Sequence, residues 1–132
     1  MKSIIQTINN LPNLMLLKPA NQEQINDAEL QLGVSFASEY KEYLTSFGAV
    51  LADGIELAGI AKSEHRNVVY LTKREWELNS NIPHSMYVVE DTGVDGIVVW
   101  QDTKGLIYQS KPNTEAKEIA NSLVDYILSR TN

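Results

Sequence analysis

A chain of 132 residues is expected to form one domain, spanning 1–132, with a core large enough to hold without covalent staples. The absence of cysteine excludes a disulfide framework, a thiolate zinc site and a thiol nucleophile together. Eleven Lys and Arg against seventeen Asp and Glu give a net charge of −6, which disfavours binding to phosphate backbones and suits a basic protein partner.

The N-terminal third reads as helices. Ile4, Ile5, Ile8 and Leu11 fall at helical spacing until Pro12 stops the segment. Asn21 and Gln24 form a capping-box variant that opens a second helix with Ile25, Ala28 and Leu32 on its buried stripe and Gly33 as its left-handed cap. A third helix carries Phe36, Tyr40, Tyr43, Leu44 and Phe47 on one face and ends at Gly48. So short a connection predicts that these two helices lie side by side as a hairpin.

Strands dominate the rest. Ile55 and Leu57 alternate with Gly54, Glu56 and Ala58, and the β-branched run from Val68 to Leu71 predicts a second strand. Thr72 and Glu75 form a capping box for a short helix through Trp76 and Leu78. Met86 to Val89, Ile97 to Trp100 and Leu106 to Tyr108 predict three further strands, the last two joined by a tight turn with Gly105 at positive φ. Thr114 is expected to cap a final helix with Ala116, Ile119, Ala120, Leu123 and Ile127 on its stripe. The predicted class is α+β, with an antiparallel or mixed sheet of about five strands and the helices mainly on one face. No apolar run exceeds four residues, against about twenty for a membrane-spanning helix and roughly seven for a signal-peptide core, so a soluble cytoplasmic protein is expected.

Motifs for chemistry are sparse. His65 and His84 lack a second ligand at metal spacing, and both read as surface residues. Asp91-Thr92-Gly93 imitates the aspartic-protease tripeptide, but Val94 and Glu90 depart from that pattern on either side. Asp91, Asp95, Gly96 and Asp102 fit positions of a calcium-loop count, yet the strand-forming run Ile97 to Trp100 between them pulls such ligands apart. The segment reads as a polar connection between strands. No catalytic residue, cofactor or metal ligand is assigned.

Charge is distributed unevenly. Residues 21–60 hold seven acids, Glu23, Asp27, Glu29, Glu39, Glu42, Asp53 and Glu56, against Lys41 alone. A second acidic group, Glu90, Asp91, Asp95 and Asp102, precedes Lys104 and brackets Trp100. A solvated face explains such groups, and so does a surface that steers a basic partner onto an aromatic anchor.

Three stretches carry a family pattern: Ile25-x-x-Ala28-Glu29-x-x-Leu32-Gly33, Tyr40-Lys41-x-Tyr43-Leu44-x-x-Phe47-Gly48 and Gly54-Ile55-Glu56-Leu57-x-Gly59. Together they resemble the SUKH superfamily, which includes fungal cell-wall-assembly regulators and bacterial immunity proteins of polymorphic toxin systems. The chain has Phe36-Ala37 where the family commonly has Leu-Pro, and so lacks proline's restraint on the helix's first turn. The resemblance implies an α+β fold and a stoichiometric inhibitor of a toxin, commonly a nuclease with a basic active site. The expected contact is then Glu90, Asp91, Asp95, Trp100 and Asp102, with Asp53 and Glu56 as a second acidic group. The acids would pair with Lys or Arg of a basic toxin domain, and Trp100 would anchor. A regulatory or scaffold module is the alternative, an enzyme whose carboxylates escape motif reading a third; oligomeric state stays open.

Overall fold

The computed structural model describes residues 3–131. Ser3 and Gln6 exchange side chain-to-backbone hydrogen bonds that open α1 (Ile4–Asn9), and Leu11 packs into the core just beyond it. After β1 (Met15–Leu16) comes α2 (Gln22–Leu32), held between the predicted Asn21–Gln24 capping box and Gly33 at φ 67°. Its buried residues are the predicted stripe, Ile25, Ala28 and Leu32. Next, α3 (Ser38–Phe47) buries Tyr40, Tyr43, Leu44 and Phe47. The two helices touch, but not as a self-contained hairpin: α2 packs more against the later helix α4, and α3 more against α1.

A three-stranded antiparallel sheet follows, β1 beside β2 (Val50–Ala52) beside β3 (Ile55–Leu57). A single 3-10 turn over Glu64–Arg66 leads into α4 (Val68–Leu78). Here the predicted strand over 68–71 is corrected. Asn67 Oδ1 accepts from the N–H groups of Val69 and Tyr70, so the β-branched run forms the first helical turn, overriding its strand propensity. Thr72 is consequently inside the helix, where its hydroxyl accepts from Val88 N at 2.9 Å and seals the neighbouring strand.

The second sheet is an antiparallel meander of β4 (Tyr87–Asp91), β5 (Val98–Gln101), β6 (Ile107–Ser110) and β7 (Lys117–Ala120). The predicted turn at Asp102–Gly105 is present, with Gly105 at φ 95°. The predicted helix start at Thr114 is not. Thr114 closes a turn with Lys111, residues 117–120 pair with β6, and the last helix, α5 (Leu123–Thr131), begins later, where Ser122 Oγ accepts from Asp125 N. Ile119, placed on a buried stripe by its spacing, is exposed on β7.

Period-two alternation divides the second sheet between two cores. Tyr87, Val89, Val99 and Ile107 face the main core with α1, α2, α3 and α5, whereas Val88, Val98 and Trp100 face a smaller one closed by Leu71 of α4, Ile82 and Met86. The α+β class therefore holds, with seven strands in two sheets among the described residues in place of about five in one. Ala58 N donates to Val89 O at 2.8 Å, which brings the end of β3 against β4 and makes a seam between the sheets.

Candidate functional site

Of the two predicted acidic groups, Glu90 and Glu56 meet at this seam. Glu90 points inward, 2% exposed, and its Oε2 accepts from the backbone N–H of Glu56 at 2.9 Å. Its Oε1 accepts from the Tyr126 hydroxyl and from Arg130 Nη1, both across very short contacts, while Arg130 Nη2 donates to Gly54 O. Burial, reinforced by the Glu90 carboxylate and opposed by Arg130, pushes the Tyr126 phenol well above its usual range, so it stays a donor. Glu90 thus ties β4 to β3 and α5. It is a clamp within the fold, and the expectation that it meets a partner directly is corrected.

Trp100 is corrected for the same reason. It is 0% exposed, at the centre of the smaller core, with Nε1 donating to Ser110 Oγ at 2.9 Å. Asp102 is also engaged locally. Its Oδ1 accepts from the N–H groups of Lys104 and Leu106, and its Oδ2 from the Tyr108 hydroxyl at 3.0 Å. Those bonds shape the β5–β6 turn.

The remaining predicted residues reach the surface. Asp53 accepts from Asn13 Nδ2 at 2.6 Å, Glu56 pairs with Arg66 at 3.3 Å, and Asp91 pairs with Arg74 at 2.8 Å. Asp95, at φ 52°, is exposed and has no ion-pair partner among the described residues. Arg74 and Asp91 also line an open cleft of about 470 Å³ with Glu75, Leu78, Lys111 and Pro112, where charges of both signs balance. Asp91 and Asp102 lie at opposite ends of β5, which separates the calcium-loop residues. Among the described residues, no group of three or more His, Asp or Glu is placed to hold a metal ion.

The seven acids of residues 21–60 divide in two. Glu29 accepts from Phe36 N and pairs with Lys41, Glu39 accepts from the N–H groups of Leu123 and Val124 and from Gln101 Nε2, and Glu56 pairs with Arg66. Glu39 therefore caps α5 from a distant element, a role that local spacing does not reveal. Glu23, Asp27, Glu42 and Asp53 stay exposed with no ion-pair partner among the described residues. Sequence patterning also does not single out Leu30. It lies off the buried stripe of α2 and is 81% exposed.

The family pattern now has a geometry. The hydroxyls of Tyr40 and Tyr43 donate to the carbonyls of Ala58 and Leu57, at 2.8 and 3.0 Å, and Ile60 N donates to Gly48 O. The third stretch of the pattern is thus bound to the second. A family model described as SUKH_5, SMI1-KNR4 cell-wall, matches residues 1–132. The chain belongs to the SUKH superfamily. Among curated proteins, none matches it. SUKH membership supports a toxin-immunity or related protein-interaction role, and Tyr40, Tyr43 and Gly48 of the SUKH pattern act in packing and backbone bonding. No helix of the described residues is long and apolar enough to cross a membrane.

Proposed function

We propose that this SUKH protein is a non-enzymatic immunity protein that binds a cognate nuclease-type toxin domain and neutralises it by covering its basic active-site surface. The observation that carries this reading is the surplus of exposed acid without cationic partners, Glu23, Asp27, Glu42 and Asp53, on a chain of net charge −6. Such a field speeds encounter with a basic protein and selects against acidic ones. Asp53, Glu56, Asp91 and Asp95 are the contact residues, while Glu90 holds the seam from within, Trp100 fills the smaller core and Asp102 shapes the β5–β6 turn.

The test is calorimetry on the protein recovered by pull-down from the native organism. The expected result is a basic domain bound one-to-one, with affinity that falls as salt rises. Lysine substitutions at Asp53, Glu56, Asp91 and Asp95 together should weaken binding and flatten its salt dependence; unchanged affinity and salt slope would overturn this contact surface. The family's cell-wall description favours a second reading, a regulatory or scaffold module. Recovery of several housekeeping proteins, bound weakly and without salt dependence, would support that one.

A further inference from the structure

We infer that the outer face of α2 is a docking surface for a lysine- and arginine-bearing protein surface with an apolar recess, in which Leu30 is the anchor. This rests on the reading of a basic partner and adds to the proposed acidic contact a second face that meets it. Glu23, Asn26, Asp27 and Leu30 lie three, four and seven residues apart, on one side of the helix. The opposite side is fixed to the core by Ile25, Ala28 and Leu32.

A single exposed leucine is ordinary on a protein surface. Three features set Leu30 apart. It is the most exposed large apolar side chain of the described residues. It stands between two open hollows of about 600 and 510 Å³, one lined with Glu23, Asn26 and Asp27, the other with Glu29, Val34 and Ser35, and neither lined by a cation. Finally, α2 contains no Lys or Arg, so the negative charge around Leu30 has no counterpart on its own helix. An apolar projection flanked by Glu23 and Asp27, which have no ion-pair partner among the described residues, fits a cationic rim around an apolar recess, and repels an acidic surface.

The helix is also preorganised for contact. A capping box closes its first turn, Gly33 N bonds Glu29 O at 2.8 Å at its end, and side-chain bonds link Gln22 to Asn26 and Asp27 to Gln31 along the face. Little ordering remains to oppose association.

The experiment titrates the isotope-labelled full chain with a short helical peptide of lysine, arginine and leucine, and with its counterpart bearing glutamate at every cationic position. The cationic peptide should move the amide resonances of residues 22–35, and its affinity should fall about fivefold or more from low to physiological salt. Leu30→Ser, or Glu23→Gln with Asp27→Asn, should weaken it about tenfold with the melting temperature unchanged, because all three side chains are exposed. Movement of residues 53–56 and 91–95 instead would overturn the α2 assignment and leave the basic-partner reading intact. Equal response to both peptides, or to neither, would overturn both. Concentration-dependent shifts at 22–35 without peptide would assign the face to a second copy of the chain and overturn the inference.

Discussion

An inward-facing carboxylate is tolerated only among donors, and Glu90 gathers three from distant parts of the chain: the Glu56 N–H, the Tyr126 hydroxyl and the Arg130 guanidinium. Replacing it by alanine removes the acceptor for all three. Because the Arg130 side chain is 33% exposed and water reaches it, Glu90→Ala should cost about 3 kcal/mol, the lower end for a broken buried pair. Glu90→Gln should cost less, since an amide oxygen keeps part of the bonding, and Asp95→Asn should stay within about 0.5 kcal/mol. Urea melts of the three variants check this. Equal, small losses would show that Glu90 is no clamp. The sequence also shows why this residue and Trp100 read as surface groups. All four residues of β5 are buried, so alternation offers no outward position against which Trp100 reads as inward. For Glu90 the partners lie 34 to 40 residues away, beyond any local pattern.

Elements are joined here by close backbone approach as much as by side chains. Gly48, at φ 74° and ψ −66°, forms a tight turn in which Ala49 N bonds Phe47 O, and its own carbonyl accepts from Ile60 N. A Cβ on Gly59 would sit 1.7 Å from that carbonyl oxygen, where no movement of a flexible side chain relieves it. Gly59→Ala should therefore destabilise by about 3 kcal/mol, at the upper end for overpacking. Gly33→Ala meets nothing within 4 Å and should lose only about 1–2 kcal/mol, the cost of a left-handed alanine. Thermal melts of the pair separate contact from conformation, and equal losses would refute the close-approach argument. Where structure is decided locally, it is legible in the sequence: the Asn21–Gln24 box, the Gly33 cap, the stripe of α2 and the turn at Gly105 all follow from neighbouring residues. Non-local competition explains the rest. The run 68–71 is helical because Asn67 caps it, and 117–120 is extended because β6 offers an open edge, which no periodicity within the segment reports.

Across the whole molecule, four tyrosines bind the layers together and predict how the fold responds to alkali. Tyr40 and Tyr43 reach from α3 to the carbonyls of Ala58 and Leu57 at the end of β3, Tyr87 accepts from Ala37 N and donates to Gln101, and Tyr126 links α5 to Glu90. Burial, with nearby tyrosines or carboxylates, raises all four phenols above their ordinary value of 10.0. In the unfolded chain they titrate near that value. Above it, the unfolded state loses protons that the folded state keeps, so the sign is fixed: stability is fully present below about pH 10 and falls as pH rises. Each tyrosine adds up to about 1.4 kcal/mol per pH unit to that fall. Unfolding free energy followed alongside phenolate absorbance should therefore drop steeply beyond pH 10, with these phenols ionising only as the chain unfolds. Tyr40→Phe lowers stability at neutral pH by losing the bond to Ala58 O, yet removes one titrating group and so flattens the alkaline slope. Ionisation of these tyrosines in the intact fold, or a slope unchanged by Tyr40→Phe, would mean that water reaches the layer between α3 and the sheets.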